Sequence, residues 1–451
     1  MADSVKQFQL MTETPIPRLI IKLSIPTIIS MLGTTIYNLV DTAFVGTLGT
    51  SQSGAVGVVF GFMTVLQAIG FMCGQGSGSI ASRRLGEKNI EEASRIASTG
   101  FFTSLALGLI VAVFSLIYIN PFVVFFGSTP TIAPHAKTYL YFILSTAPCV
   151  VATFTLNNLL RYEGKAVLGM IGLLSGGILN IAGDAIFMFG FNMGIAGAGL
   201  STAISQVIGF AILLGIFLSG KTQAKISVKY ISFFSKRQLD IITTGLPSLV
   251  RQALGGVATI ILNQSAALVA GDAAIAALSI VSRVSFAIFA IALGIGQGFQ
   301  PISAFNYGAK KFKRVRIAYK ETILFATSIL FVITVFALIF PGQIVKALRD
   351  DPEVIKIGIR ALRLMCIAQL FMPLCMVTEM LLQSTGKKAS SLFLSSLRGG
   401  VLYIPLIIVL AKYRGLSGLQ EAQPLAFILS AIPGVICAAV YFKKLPKEDE
   451  K

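Results

Sequence analysis

A run without a charged side chain extends from Gly54 to Ala81 and reads GAVGVVFGFMTVLQAIGFMCGQGSGSIA. A helix that crosses the hydrocarbon core of a bilayer needs about 20 mostly apolar residues, so this run is long enough to span. The rest of the chain has the same character, because 55% of the 451 residues are hydrophobic and only 12% are charged. A typical soluble domain has roughly 25% charged residues. The composition therefore excludes a soluble enzyme and predicts a membrane protein.

Apolar runs of this kind recur along the chain, separated by short polar gaps that often contain glycine or proline. We predict twelve transmembrane helices, at 17–47, 54–81, 96–120, 138–160, 167–189, 196–219, 241–270, 275–302, 321–340, 362–383, 390–411 and 423–442. Basic residues are concentrated in the gaps that face the cytoplasm if the chain begins there, and they are fewer in the outward gaps. We therefore expect a multi-pass protein of the cell membrane with both termini in the cytoplasm. The net charge of +18 then reflects topology and not a nucleic-acid partner.

The sequence also repeats itself at a constant offset. Shifting it by 222 residues places Gly74-Gln75-Gly76 on Gly296-Gln297-Gly298, Lys88 on Lys310, and Gly164-Lys165 on Gly386-Lys387. Six spans per half is an even number, so the halves insert in the same orientation, as in parallel-repeat transporters with a substrate site between the halves. We predict an all-α polytopic fold of two six-helix lobes related by a parallel pseudo-two-fold repeat: an N-lobe at 1–219, a cytoplasmic linker at 220–240 and a C-lobe at 241–451.

Carboxylates inside the spans are informative, because a charge in lipid is costly and persists mainly where it faces an interior or a cavity. Asp41 and Asp184 both fall in the outer half of their spans. Asn180 lies one helical turn before Asp184 on the same face, and Thr202 lies at a similar depth in the sixth span. These four residues predict a layer of oxygen-bearing groups in the first half of the chain.

The repeat provides an internal control for this layer. Asp41 falls on Asn263 and Asp184 falls on Leu406, so the second half lacks the acids. Carboxylates that only held helices together would be needed in both halves, and the asymmetry therefore favours a function in cation coupling. A hydrogen-bonded structural network confined to one half is the alternative.

Four further residues inside the spans have other or unassigned roles. Glu379 falls near the inner end of the tenth span, where we expect it to reach water or the lysines that follow. Pro26 interrupts the first span and predicts a hinge, with a fixed kink as an equal alternative. Pro247 lies at nearly the equivalent place in the seventh span, one turn before Arg251, which has no assigned role.

Other chemistry is not supported. The five cysteines have no CxxC spacing and the chain has one histidine, which argues against a disulfide framework, a zinc site or an enzyme. The stretch Gly215 to Thr222 fits the GxxxxGK[ST] pattern, but it ends an apolar helix and lacks the strand that a phosphate-binding loop requires. No cofactor is expected beyond a coupling ion.

Several stretches, read in order, resemble the multidrug and toxic compound extrusion (MATE) transporters, in the branch of DinF-like and MepA-like proteins. They are Tyr37-Asn38-Leu39-Val40-Asp41-Thr42, Leu156-Asn157-Asn158-Leu159-Leu160-Arg161-Tyr162-Glu163-Gly164-Lys165, Asn180-Ile181-Ala182-Gly183-Asp184, and Gly197-Ala198-Gly199-Leu200-Ser201-Thr202-Ala203-Ile204-Ser205-Gln206. With the twelve spans and the repeat, the resemblance covers nearly the whole chain.

The resemblance implies a cation-coupled antiporter, driven by protons or sodium, that exports amphipathic and often cationic compounds by alternating access. It places the cation site, including any Na⁺, at Asp41, Asn180, Asp184 and Thr202, and the substrate cavity at Asn157, with Tyr37 and Gln206 from the same motifs. The expected partners are small-molecule drugs or toxins and the lipid bilayer, and the protein is expected to be a monomer. A lipid-linked oligosaccharide flippase of related architecture is the alternative function.

Overall fold

The structure, a computed structural model, describes residues 2–232 and 235–449, apart from the side chains of residues 2–4, 267 and 270–272. Within these ranges the chain is helical and contains no strand. The helices are α1 (Ala2–Glu13), α2 (Ile16–Gly46), α3 (Thr50–Gly86), α4 (Ile90–Ile117), α5 (Ile119–Phe125), α6 (Ala133–Tyr162), α7 (Ala166–Asp184), α8 (Ile195–Leu218), α9 (Lys236–Gly308), α10 (Phe312–Ile339), α11 (Pro341–Leu348), α12 (Pro352–Gln369), α13 (Met372–Ser384), α14 (Lys388–Ser396) and α15 (Tyr403–Lys444). A π-helical turn, Ala185–Gly190, follows α7, and another, Leu397–Val401, joins α14 to α15.

The described residues contain the twelve predicted spans. Ten helical stretches are long and apolar enough to cross a bilayer, and α12 with α13, bent by 45°, makes an eleventh. One of the ten, Lys388–Lys444, has 57 residues, which is far longer than one span requires. Gly415 breaks its helical geometry with a φ of 56°, and the backbone of Gly418 packs back against Leu410. The chain reverses at Gly415, so this stretch holds spans eleven and twelve.

The lipid-facing surfaces of these helices are apolar. On α4, Ile110, Phe114 and Ile117 are 61%, 57% and 68% exposed. Their spacing places them on one face of the helix. A continuous apolar face of this kind would be unusual on a soluble monomer and is what a bilayer covers. The helices α1, α5 and α11, which lie outside the spans, are not predicted from the sequence.

The backbone reproduces the sequence repeat. Lys88 and Lys310 have left-handed φ values of 60° and 58°, and Gly164 and Gly386 have values of 80° and 83°. These pairs are 222 residues apart. Left-handed φ is uncommon for a residue other than glycine, and its recurrence at equivalent lysines confirms that the two halves turn in the same way.

The glycine run of α3 is a helix-packing feature. A Cβ on Gly74 would lie 2.8 Å from the Cβ of Asn158 on α6, and one on Gly76 would overlap the carbonyl of Ile241 near the start of α9. Small residues allow membrane helices to approach this closely. The structure thus supports close packing, and not nucleotide binding, as the role of Gly74–Gly78.

The chain divides into two compact units whose boundaries lie inside helices. Unit 1 consists of Met1–Phe8 and Ile29–Leu249, and unit 2 consists of Gln9–Ile28 and Val250–Lys451. In α2 the chain passes from unit 2 to unit 1 two residues after Pro26. In α9 it passes from unit 1 to unit 2 two residues after Pro247. The division into an N-lobe at 1–219, a linker at 220–240 and a C-lobe at 241–451 stays a prediction, as does the hinge at Pro26.

Each unit therefore contains a segment from the other half of the sequence. In unit 1, Ser248 Oγ lies 2.6 Å from Gln75 Oε1 of α3. In unit 2, Asn306 Nδ2 donates to the carbonyl of Met11 at 3.1 Å. The first part of α9 is built into unit 1, and the first part of α2 is built into unit 2.

The segment between α8 and α9 is fastened to unit 1. The buried carboxylate of Glu163, just after α6, accepts hydrogen bonds from the backbone N–H groups of Gln223 and Ala224, both at 2.9 Å. Farther along, the Arg237 guanidinium donates two hydrogen bonds to the Glu92 carboxylate, at 2.8 and 3.1 Å. This bidentate ion pair lowers the pKa of Glu92. A carboxylate and an ion pair thus hold both ends of the segment.

We expect a pH dependence of stability from Glu163. Burial raises its pKa to about 7, although the two backbone N–H groups and Lys165 act in the opposite direction. Because the folded pKa lies above the unfolded value of about 4.5, the stability contribution of Glu163 is complete below that value and is lost as the pH rises through 7. Thermal unfolding of Glu163→Gln, which stays neutral, should lack this decline between pH 5 and 8. The exposed Glu91→Gln variant should keep it, and equal pH profiles for wild type and Glu163→Gln would contradict the assignment.

Candidate functional site

Four helices of unit 1 bring polar side chains to one place inside the protein. We call this group the acid cluster, and it consists of Asp41 on α2, Tyr139 on α6, Asn180 and Asp184 on α7, and Ser201 and Thr202 on α8. All six side chains are buried. Asn180 and Asp184 are one turn apart on α7 and share a face, as their spacing predicts.

A directed chain of hydrogen bonds ends on Asp41. The Asn180 amide nitrogen donates to Thr202 Oγ1 at 3.1 Å, and the Thr202 hydroxyl lies 2.9 Å from the Tyr139 hydroxyl. Tyr139 in turn donates to the two carboxylate oxygens of Asp41, at 3.3 and 3.4 Å. An amide nitrogen and a carboxylate have fixed roles as donor and acceptor, so the two hydroxyls between them must each accept from one side and donate to the other.

The second carboxylate is less well satisfied. Asp184 is fully buried, and its Oδ1 accepts one bond from Asn180 Nδ2 at 3.3 Å. Its Oδ2 and the carbonyl Oδ1 of Asn180 are buried without a hydrogen-bond partner. The Asp41 and Asp184 carboxyls also lie within hydrogen-bonding reach of each other.

This arrangement has a simple electrostatic consequence. Two carboxylates that are close together and shielded from water repel each other and cannot both stay charged at low cost. A proton shared between them would remove the repulsion. Carboxylate, amide carbonyl and hydroxyl oxygens are also the ligands that hard cations prefer, and two of those oxygens here lack a donor. The donor set therefore fits a proton or a sodium ion.

An open cleft lies beside the acid cluster. Asp41 is 8% exposed and Asp184 is 0% exposed, so Asp41 borders the cleft while Asp184 lies behind it. The lining combines these polar groups with apolar side chains and consists of Tyr37, Asn38, Asp41, Thr42, Val56, Val59, Phe60, Met63, Tyr139, Asn180 and Thr202.

The structure brings most of the predicted site residues together. Asp41, Asn180, Asp184 and Thr202 all belong to the acid cluster. Tyr37 lines the cleft, where its hydroxyl is hydrogen-bonded to Gln206.

Two predicted residues lie elsewhere. Asn157 is buried on α6 and contacts Gly169 at the start of α7. It is 18 residues along the helix from Tyr139, or about 27 Å, and the structure does not bring it to the cleft. Pro26 is fifteen residues before Asp41 on α2, in the segment that belongs to unit 2.

The sequence reasoning missed Tyr139 and Ser201. Tyr139 stands at the outer end of the fourth predicted span, so its depth matches that of Asp41, and a search of this layer for hydroxyl groups as well as carboxylates would have found it. Ser201 neighbours Thr202 and donates to the carbonyl of Asn180 at 2.9 Å. It steadies the helix turn that carries Asn180 and Asp184.

Unit 2 has a second cleft at equivalent positions. Shifting by 222 residues places Val59 on Val281, Tyr139 on Ala361 and Thr202 on Pro424, which are all in the linings. The counterparts of the hydroxyl residues thus have no hydroxyl, and the counterpart of Asp184 is Leu406. The fold is repeated, but the two acids and their hydroxyl partners at Tyr139 and Thr202 have no counterparts in unit 2.

Glu379 has a different environment from the one expected. The sequence predicts contact with water or with the lysines after α13, but the Glu379 carboxylate is buried and lies 2.5 Å from Nη1 of Arg251 on α9. The expectation is wrong because a seventh-span arginine reaches the same depth inside unit 2. Arg251, unassigned from the sequence, is the counterion of Glu379.

Comparison with known proteins gives consistent results. The sequence model of the family described as MatE matches residues 26–186 and 247–409, one stretch in each half of the repeat. The multidrug export protein MepA of Staphylococcus haemolyticus is 28% identical over 407 residues, which cover 90% of this chain and 89% of that protein. The protein of the same name from Staphylococcus aureus strain MSSA476 is 25% identical over 433 residues, covering 96% and 95%.

Solved structures also match over nearly the full length. One is the outward-facing conformation of a multidrug resistance MATE family transporter of the MOP superfamily, with a TM-score of 0.91, 26% identity and coverage of 98% of this chain and 99% of that chain. Another is a MOP superfamily transporter from Pyrococcus furiosus, reported to have a binding pocket of reverse polarity, with a TM-score of 0.91, 26% identity and 98% coverage of both chains. The predicted twelve-span, two-lobe fold is confirmed.

Proposed function

The chain belongs to the MatE family, and from this premise we propose that it exports amphipathic, often cationic drugs or toxins in exchange for a proton or a sodium ion. One observation carries the proposal: the acid cluster holds two buried carboxyls in reach of each other, with Asp184 Oδ2 and Asn180 Oδ1 left without a donor. The MepA relatives are named as multidrug export proteins, which supports drugs as the substrate class.

The order of exposure suggests how a cation would load. A proton or sodium ion in the cleft meets Asp41 first, because only Asp41 of the two acids is in contact with the open space. Neutralising the pair removes the repulsion between α2 and α7 and stabilises one packing of α2, α7 and α8. Loss of the cation restores the repulsion and the other packing. Alternating access then follows from the preference of the cation for one of the two states.

The same cleft suits an amphipathic cation. Tyr37, Phe60 and Met63 supply aromatic and thioether surface that adapts to different shapes, and Asp41 supplies the negative charge. A cationic drug and a coupling cation would then compete for Asp41. Competition of this kind couples uptake of one to release of the other.

The rest of the proposal concerns placement in the cell. The distribution of basic residues between the spans supports a cell-membrane protein with both termini in the cytoplasm. A substrate path within one chain requires no second copy, so we propose a monomer.

Reconstituted vesicles test the proposal directly. Vesicles that contain the purified protein and ethidium are given either a pH gradient or a sodium gradient, each with the membrane potential clamped. We expect one gradient to drive dye movement and the other to have little effect, which identifies the coupling ion. Dye movement that ignores both gradients, or translocation of a lipid-linked sugar in place of the dye, would refute the proposal.

The Tyr139 hydroxyl provides a finer test of the acid cluster. Tyr139→Phe removes the donor to Asp41 and ends the hydrogen-bond chain from Asn180. A hydrogen bond to a charged group is worth about 1.5–3 kcal/mol, so we expect the concentration of coupling ion for half-maximal efflux to change by about tenfold or more. Tyr403→Phe, which removes a hydroxyl from the second cleft, is the matched control and should behave as wild type. Identical ion dependence in Tyr139→Phe and wild type would argue against this role.

A further inference from the structure

Unit 2 contains a buried cluster in which positive charge exceeds negative charge. Arg251 on α9, Glu379 on α13 and Arg398 in the π-helical turn are 7%, 1% and 7% exposed. Glu379 pairs with Arg251 at 2.5 Å and interacts electrostatically with both arginines. Two guanidinium groups and one carboxylate leave a net charge of +1 inside a protein that crosses a membrane.

Arg398 is the member of this cluster that lacks a hydrogen-bond partner. Its guanidinium makes no hydrogen bond within the described part of the chain, and Nη1 is buried and unsatisfied. The Phe289 and Phe427 rings lie 5.1 and 5.7 Å from its central carbon and flank it. Ring faces partly stabilise a cation, but they satisfy none of its five N–H donors. A buried charge in this state is costly, and inside a membrane it indicates a functional site.

The backbone holds Arg398 in place beside Arg251. The π-helical turn Leu397–Val401 contains Arg398 and the glycines that follow it. A Cβ on Gly400 would lie 2.6 Å from Leu254 Cδ1, one turn after Arg251 on α9. Lack of a side chain at Gly400 therefore lets the eleventh span approach the seventh, although the arginines repel each other. Turns of π-helix are frequent at functional sites.

We propose that Arg398 binds the carboxylate of an aromatic, amphipathic compound, with Glu379 and Arg251 acting as a neutral pair that orients the site. A carboxylate matches the planar fork of a guanidinium, and the flanking Phe289 and Phe427 rings match an aromatic body. This anion site is additional to the cation exchange at the acid cluster and does not depend on it.

The absence of tryptophan from the chain permits a clean measurement. Phe289→Trp introduces a single indole beside Arg398, and 4-nitrobenzoate, a carboxylate whose nitro group quenches indole emission, is titrated into the purified protein. Methyl 4-nitrobenzoate is the uncharged comparison. We expect saturable quenching by the carboxylate, with an apparent affinity lowered about tenfold or more by Arg398→Gln in the same background.

Matched variants and other anions make the outcome decisive. Arg360→Gln, which removes an exposed arginine paired with Glu421, should leave the affinity for 4-nitrobenzoate unchanged. Arg398→Lys should show intermediate affinity, because it retains the charge and loses the fork. Quenching that is equal for the ester, or unchanged by Arg398→Gln, would overturn the proposal.

Two other sources of an oxyanion are tested as competitors. Inorganic phosphate, or vesicles containing phosphatidylglycerol, would displace 4-nitrobenzoate if the site serves a free phosphate or a lipid headgroup, and strong displacement by either overturns the assignment to an aromatic carboxylate. Weak or absent displacement supports it. The assay measures binding alone, so failure of the efflux proposal would leave this result unaffected.

Discussion

We expect Asp41→Asn to reduce ethidium efflux to the level of vesicles without protein. The substitution keeps the size and polarity of the side chain but removes the charge that repels Asp184, so binding of a cation no longer changes the balance between the two states. Asp184→Asn should have a similar effect, because either change leaves a single carboxylate. Stopped-flow measurement of ethidium release from reconstituted vesicles gives the rate.

The repeat supplies the control for this experiment. Asn263, the counterpart of Asp41, is exposed on α9, and the counterpart of Asp184 is Leu406. Asn263→Ala should transport as wild type does. Each variant must elute as a single species from size exclusion, so that loss of transport is not loss of folding. Efflux by Asp41→Asn at the wild-type rate would remove the basis of the cation-coupling proposal.

The second large effect concerns stability. Glu379→Ala removes the only carboxylate of the buried cluster and leaves Arg251 and Arg398 facing each other. Breaking a buried ion pair by removing one partner costs about 3–5 kcal/mol. We expect the variant to be made in low yield and to unfold at a much lower denaturant concentration than wild type.

A double variant separates the cost of an unpaired charge from the value of the pair. Arg251→Met with Glu379→Met removes both charges and fills the volume, and such replacements of buried pairs are often neutral or stabilising. We expect it to recover most of the stability that Glu379→Ala loses. Glu91→Ala, which breaks an exposed pair with Arg95 on α4, should change the unfolding free energy by less than about 1 kcal/mol. A double variant as unstable as Glu379→Ala would show that the pair itself holds the helices together.

The architecture could be predicted from sequence because a bilayer imposes a strong constraint on span length and on the position of basic residues. The repeat is visible because the same residue types recur at equivalent turns, where Lys88 and Gly164 share left-handed φ values with Lys310 and Gly386. The helix α1 was not predicted, because its residues are polar and it forms through contacts with distant residues. One such contact is the hydrogen bond that the Gln7 side chain of α1 donates to the carbonyl of Glu163 at 2.6 Å.

The acid cluster was predicted in part for a related reason. Asp41 and Asp184 are conspicuous because acids are rare in spans, and the depth of each could be counted from the helix start. Tyr139 is an ordinary interface residue by composition, and only the packing of α6 against α2 and α8 shows its hydroxyl between Asp41 and Thr202. Arg251 and Glu379 were not paired because residue counting gives depth along one helix and no information about which helices are neighbours.

The boundaries between the two units lie inside α2 and α9, and this bears on how such a molecule arose. Residues 9–28, which include the start of α2, pack with the second half of the chain, and residues 236–249 at the start of α9 pack with the first half. In a half-length ancestor with the same helices, the start of the first spanning helix would therefore have had no helices to pack against. If the repeat arose by gene duplication, an exchange of these arms between two copies, as in a swapped homodimer, would have given each copy the missing segment. We therefore expect that neither half of the present chain folds when it is expressed by itself.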